Sequence, residues 1–263
     1  AGWSGVARSS AVASASGLAG VEVAPSVAPP ASSSPTSAPE GAPLQDRLAR
    51  AYEYSDAWVD DARLVVLNAR DAAARGADIM VGARVTEARR EGDGWTVRLG
   101  DGRSFRARVL VNAAGPWAGQ VIHEVAHLPS TEGVRLVRGS HIVTRKLFDH
   151  PKSYFLQGQD GRIVFAIPYE GDFTLIGTTD VDHDGPPGQA TCTPDEIDYL
   201  CRFVSGYFRR PVTPADVVWT FSGVRPLYDD GASSATAATR DYVLSLDAGG
   251  PPCLHVFGGK ITT

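Results

Sequence analysis

The stretch Val109-Leu110-Val111-Asn112-Ala113-Ala114-Gly115-Pro116-Trp117 sets the reading of this chain. It opens as a short apolar run suited to a buried strand and closes in a turn of small residues stopped by proline. Ala113, Ala114 and Gly115 carry almost no side chain, so a flat ligand can lie directly against their peptide groups. An ordinary buried strand with a Gly-Pro stop has the same composition, and the flanking sequence has to separate the two.

Upstream, residues 83–108 read as an antiparallel meander. Residues 84–90 and 95–99 alternate apolar and polar, and the turns Gly92-Asp93-Gly94 and Gly100-Asp101-Gly102 stand between alternating runs. Asp-Gly turns in that position are strong hairpin signals. Before the meander, residues 60–75 predict a helix. Asp60 and Asp61 supply the N-cap and a favourable first-turn charge, Leu64, Leu67, Asn68 and Ala72 mark one face, and Gly76 is a natural stop. A short strand is expected at 78–81. Helix, strand, meander and a buried strand with a small-residue end follow the order in which a dinucleotide-binding domain of the flavoprotein type closes its second half.

Downstream, a short helix is expected to residue 125. Strands are then predicted at 134–137, 141–144, 154–157, 162–167, 173–177, 217–221, 242–246 and 254–257, forming one sizeable, mostly antiparallel sheet. A single helix interrupts them: Thr193-Pro194-Asp195-Glu196 is a capping box with proline at the first helical position, and Ile197, Leu200, Cys201 and Val204 form its apolar face.

Bulk properties narrow the function classes. With 263 residues, 43% hydrophobic and 21% charged, the chain is of globular type. A net charge of −5 excludes a general nucleic-acid binder. No apolar run approaches the roughly 20 residues of a membrane-spanning helix. Three cysteines without a Cys-x-x-Cys pair give neither a disulfide framework nor a metal site. Residues 1–43 are rich in Ala, Ser, Pro and Gly, and are expected to be a disordered low-complexity segment. The start at Ala1 and the end at Thr263 suggest a fragment.

Four stretches carry groups beyond what a plain sheet needs: Arg138-Gly139-Ser140-His141, Ile176-Gly177-Thr178-Thr179-Asp180, Ser222-Gly223-Val224-Arg225-Pro226-Leu227 with Thr239-Arg240-Asp241-Tyr242, and Phe257-Gly258-Gly259-Lys260-Ile261-Thr262-Thr263. Singly, each has a structural explanation: a core histidine, a surface ion pair, a solvated turn lysine. Together, Arg225, Arg240 and Lys260 place cations at strand ends or beside glycines, which suits a phosphate or carboxylate. Gly258 and Gly259 can bring backbone N–H groups up to an anionic ring edge. His141 is the side chain best suited to proton transfer near neutral pH.

These motifs, with Tyr54-Ser55-Asp56-Ala57-Trp58-Val59-Asp60-Asp61-Ala62-Arg63-Leu64 and Val111-Asn112-Ala113-Ala114-Gly115-Pro116-Trp117, resemble the FAD-dependent, quinone-linked glycerol-3-phosphate dehydrogenase family in the DAO-like superfamily. The resemblance runs from about Leu44 to the end. It implies oxidation of sn-glycerol 3-phosphate to dihydroxyacetone phosphate, with hydride passing from C2 to flavin N5 and electrons to a membrane quinone. It also implies a cytoplasmic enzyme peripheral on the inner face of the plasma membrane, with no metal and no nucleic acid, and a homodimer as the assembly to test for. By position, Arg225 and Arg240 match the substrate-binding cations, Lys260 the lysine near flavin and substrate, and His141 the general base. Val85, Ala113, Ala114, Gly115 and Trp117 match the cofactor-facing wall, and Gly258, Gly259, Ile261 and Thr262 the loop along the flavin pyrimidine edge.

The fold class that follows is α/β (α+β): a partial FAD-binding domain of the glutathione-reductase type plus a mostly antiparallel substrate-binding sheet. Domains are expected at 1–43 (disordered), 44–133 (FAD-binding), 134–252 (substrate-binding) and 253–263 (returning to the FAD domain). The chain departs from the family in having no G-x-G-x-x-G to hold the FAD pyrophosphate at a helix N-terminus, and in lacking the C-terminal helical domain. The expectation is that this chain alone binds FAD weakly or not at all. Competing expectations are a related FAD-dependent oxidase using O2, an amino- or hydroxy-acid oxidoreductase, and an inactive fragment acting as a binding module.

Overall fold

The computed structural model describes residues 8–14, 32–35, 38–57, 59–159, 161–231, 233, 238–239 and 241–259. In chain order the elements are β1 (Arg8–Ser14), β2 (Ser32–Pro35), β3 (Arg50–Ala57), α1 (Asp61–Ala74), β4 (Val85–Glu91), β5 (Gly94–Leu99), β6 (Ser104–Ala107) and β7 (Leu110–Asn112). An irregular helical stretch follows: a 3-10 turn at Gly115–Trp117, α2 (Ala118–Gln120) and a π-turn at Val121–Val125. Then come β8 (Val134–Arg145), β9 (Ser153–Gln157), β10 (Ile163–Tyr169), β11 (Phe173–Gly177), β12 (Val181–Asp182), α3 (Pro194–Ser205), β13 (Val217–Tyr228), β14 (Tyr242–Asp247) and β15 (Cys253–Gly258). They fall into two compact units, one from Ala1–Trp58, Gly139–Asp180 and Ala190–Gly223, the other from Val59–Arg138, Val181–Gln189 and Val224–Thr263.

In the first unit, β11 pairs with the second half of β8 and with β10, β10 with β9, and β3 lies between β1 and β2. β1 joins the two groups by running parallel to β9. One face of this sheet is covered by α3, whose Leu200, Cys201 and Val204 are buried with Ile142, Leu156, Val164 and Ile176. Tyr154 stands edge-on to Phe148 and Phe208, at 4.8 and 5.2 Å between ring centroids. The capping box forms as the sequence predicts: Thr193 accepts from the Glu196 N–H, and the Glu196 side chain accepts from the Thr193 N–H.

In the second unit, β4, β5 and β6 form the antiparallel meander, and β15 lies between antiparallel β14 and parallel β7. The meander is tied to this small sheet through Trp95 and Arg90. Trp95 is fully buried and donates from Nε1 to the Pro252 carbonyl at 2.9 Å. The Arg90 guanidinium lies 5.1 Å over the same ring and pairs with Asp247 at 2.9 Å, which holds the Asp247 carboxyl below its usual range. Cys253 and Phe257 of β15 pack with Trp95, Ala88 and Ile122 in the core. None of the three cysteines forms a disulfide, and burial pushes the Cys201 thiol up to about 11.

Several expectations are corrected. Where residues before 58 are described, β1 and β2 pair with β3, and Glu40 pairs with Lys152 at 2.7 Å. No strand forms at 78–81, where Ile79, Met80 and Val81 are exposed and pair with nothing in a sheet. The predicted strands at 134–137 and 141–144 are one strand, β8. The downstream strands do not make one sheet, because β14 and β15 join β7 instead. β3 pairs within the large sheet, and β14 pairs with β15 beside β7. On α1, Leu64, Leu67 and Ala72 are only half-buried, and Asn68 is exposed.

Truncating Trp95 to Ala removes a fully buried ring and one of two hydrogen bonds to the Pro252 carbonyl, which keeps the one from the Leu110 N–H. The expected loss is about 3–5 kcal/mol, read as a lower urea midpoint at unchanged m-value.

Candidate cofactor groove and histidine platform

β7 and β15 run parallel with Leu110 opposite Cys253, Val111 opposite Leu254 and Asn112 opposite His255. Beyond Asn112 the chain leaves the sheet through Ala113 and Ala114 into the turn at Gly115–Trp117. These small residues floor an elongated groove. One part, of about 440 Å³, is lined by Arg84, Val85, Ala114, Trp117, Gln120 and Val121. An adjoining part, of about 320 Å³, shares Val85 and Ala114 and extends over Ala113, Val111 and Ala88. Val85 begins β4, and Trp117 is 47% exposed. The walls are mostly aliphatic and the floor is nearly bare backbone, with Arg84, Gln120 and the Trp117 indole among the groups lining the larger part. Such a slot fits a flat heteroaromatic ring, which gains by apolar burial while polar groups at the edge fix its orientation. The adenine end of FAD has this chemistry.

The floor is held from below by a buried polar pair. Asn112 donates from Nδ2 to the Ala118 carbonyl at 3.0 Å and to His255 Nδ1 at 3.2 Å, while its Oδ1 accepts from the Ala114 N–H at 3.4 Å. One amide thereby fixes both ends of the turn. Because His255 Nδ1 accepts, its proton sits on Nε2, which is buried with no hydrogen-bond partner among the described residues. Burial lowers the His255 pKa from its ordinary 6.5. Neither residue was singled out as a site residue. The available signal was a histidine at an inward position of the alternating run Cys253-Leu254-His255-Val256-Phe257.

At the far end of β15, Gly258 has φ +64°, and a Cβ there would lie 2.8 Å from the Asp241 carbonyl oxygen. Only glycine lets the chain pass this close to its neighbour at positive φ. Gly259 follows it, and Arg225 lies half-buried on β13. A Cβ on Gly115 would lie 4.0 Å from Pro226, so the small-residue turn and the Arg225-Pro226 segment are neighbours. Arg240, Lys260, Ile261 and Thr262 lie outside the described residues.

In the first unit, His141 sits on β8 opposite Gly177 of β11. Its ring stacks on Phe221 at 4.7 Å with planes 3° apart, and it spreads over Gly177 so closely that a Cβ there would be 2.1 Å from His141 Cδ2. Thus Val85 and Ala114 line both parts of the groove, with Trp117 in one and Ala113 in the other, and His141 stacks on Phe221 within the first unit.

The sequence matches the FAD dependent oxidoreductase family, DAO, over residues 16–263. The chain belongs to this family. Among curated relatives of this DAO-family chain, the D-erythritol 1-phosphate dehydrogenase of Brucella abortus is 51% identical over 230 residues, 85% of this chain and 46% of the relative. The aerobic glycerol-3-phosphate dehydrogenase of Escherichia coli is 45% identical over 227 residues, 84% of this chain and 45% of the relative. The chain therefore spans about half the length of the curated relatives it matches. The structure of the glycerol-3-phosphate dehydrogenase from Bacillus halodurans complexed with FAD superposes with a TM-score of 0.70 at 26% identity, covering 84% of this chain and 44% of that one. The resemblance to glycerol-3-phosphate dehydrogenases and the mixed fold class both stand, and FAD is the cofactor of the family.

Two outcomes follow from the geometry. The folded state takes up the His255 proton at lower pH than the unfolded chain does. The His255 contribution is therefore whole above the unfolded value of about 6.5 and is lost as pH falls through it. Unfolding free energies measured from pH 7.5 to 5.5 should fall less steeply in His255→Gln than in the parent chain. Separately, Gly177→Ala forces the His141 ring off its place, and overpacking of this kind costs about 1–3 kcal/mol in urea titrations.

Proposed function

We propose that this chain is the part of an FAD-dependent dehydrogenase that binds the adenine end of the cofactor and a phosphorylated polyol, with sn-glycerol 3-phosphate as substrate and dihydroxyacetone phosphate as product. The observation that carries the proposal is the groove in which Val85 at the start of β4 faces Ala113, Ala114 and Trp117 of the turn after β7, over two adjoining parts. Gly115 opens the turn, and Gly258, Gly259, Ile261 and Thr262 would hold the pyrimidine edge. Bound FAD supplies the two-electron acceptor for the hydride that leaves C2. Arg225, Arg240 and Lys260 hold the phosphate and hydroxyl end, so that binding energy remote from C2 fixes the reacting carbon. His141 accepts the proton of the oxidised hydroxyl, which leaves a neutral ketone.

The electron acceptor in this proposal is a membrane quinone, and the enzyme lies peripherally on the inner face of the plasma membrane. Among the described residues no helix is long and apolar enough to cross a membrane. A tetritol phosphate is the second reading, favoured by the 51% identity to a D-erythritol 1-phosphate dehydrogenase. Both are polyol phosphates, and the tetritol carries one more hydroxylated carbon.

The test is made on the natural gene product with FAD, a soluble quinone analogue and each polyol phosphate in turn. Glycerol 3-phosphate should give the higher kcat/KM. A higher value with erythritol 1-phosphate reverses the substrate assignment, and stoichiometric peroxide without quinone identifies an oxidase. Arg225→Ala should lower kcat/KM by about 10- to 100-fold, the worth of a charged hydrogen bond to the substrate. An unchanged value removes Arg225 from the site.

A further inference from the structure

We infer that Glu196 is a positioning residue for His141, acting from the opposite face of the sheet; this rests on His141 being the proton acceptor proposed above. Glu196 is 5% exposed, yet both of its carboxylate oxygens are filled. Oε1 accepts from Ser140 Oγ at 2.9 Å and Thr179 Oγ1 at 2.7 Å. Oε2 accepts from the Thr193 N–H and Oγ1, both at 3.0 Å. A capping box needs only the Thr193 half of this set. The other half reaches out of the helix and grips the strands.

The grip falls next to the histidine. Ser140 precedes His141 on β8, and its backbone N–H donates to Thr179 Oγ1 at 2.9 Å. With the Ser140 hydroxyl proton committed to the carboxylate, Ser222 Oγ donates to Ser140 Oγ at 2.8 Å. Successive strand residues face opposite sides, so Ser222, Ser140 and Glu196 form a polar row beneath the sheet while Phe221 and His141 form a ring row above it. The two rows use the same adjacent residue pairs of β8 and β13. The buried carboxylate thereby fixes three backbone segments, at Ser140, Thr179 and Ser222, that border the ring stack. Leaving any of these buried groups unpaired is costly, so the arrangement has one low-energy solution.

The direct readout is the His141 ring itself. In this chain, labelled at its six histidines and assigned with His141→Asn, the ring protons should carry a ring-current shift from Phe221. Glu196→Ala should erase that shift. In the natural gene product it should lower kcat about 10- to 100-fold, the scale of a small misplacement, with KM moved much less. Glu196→Gln reaches the same groups once the hydroxyls reverse, and should restore both signals. Ser140→Ala makes the same cut more gently and decides the matter if Glu196→Ala does not fold. A folded Glu196→Ala or Ser140→Ala protein with an unmoved His141 signal overturns the inference. A moved signal with unchanged kcat upholds the positioning and removes His141 as the proton acceptor.

Discussion

The parallel pairing of β7 with β15 is the constraint on which the groove depends. Parallel neighbours cannot be joined by a tight turn, so residues 113–252 form the connection between two short strands. The register has to survive that connection. Asn112 must arrive opposite His255, because only there can its amide accept from Ala114 and donate to Ala118 while a ring nitrogen takes its remaining proton. A shift of one residue would put Leu254 or Val256 under Asn112 and leave the turn without a brace. The Trp95 and Arg90 contacts to residues 247–252 hold the same register from the side of the meander.

Two buried polar groups define the two halves of the candidate chemistry, and they obey the same rule. A buried donor or acceptor is tolerated only when its partners are fixed, and its partners are then fixed by it. The neutral Asn112–His255 pair shapes a backbone turn against which a ring can rest. The Glu196 carboxylate binds a helix start to strands that carry a histidine. In each case the group that sets the geometry lies beneath the surface that it shapes.

Much of the framework was legible because it depends on local chemistry. Asp-Gly turns bound the meander, and the Thr193–Glu196 spacing marked the start of α3. What was not legible depends on pairing across distance. Periodicity says that residues 242–246 and 254–257 are strands, but nothing in them says they will leave the large sheet for β7. Nothing in the composition of Arg8–Ser14 or Ser32–Pro35 says that they will pair with β3. The groove residues Val85, Ala113, Ala114 and Trp117 were found through motif resemblance, whereas Asn112, His255 and Phe221 were invisible as site residues. Their roles come from contacts with residues 80 to 143 positions away.

The burial of the cysteines has a consequence for chemical handling. Cys201 and Cys253 lie in the two cores, and burial pushes both thiols upward. Alkylating reagents act on the thiolate, so at neutral pH these two react slowly while the fold is intact. Cys192 is half-exposed and stands immediately before Thr193. A fluorophore attached there without mutagenesis would sit at the helix cap that anchors Glu196, giving a selective optical probe at the root of the polar row.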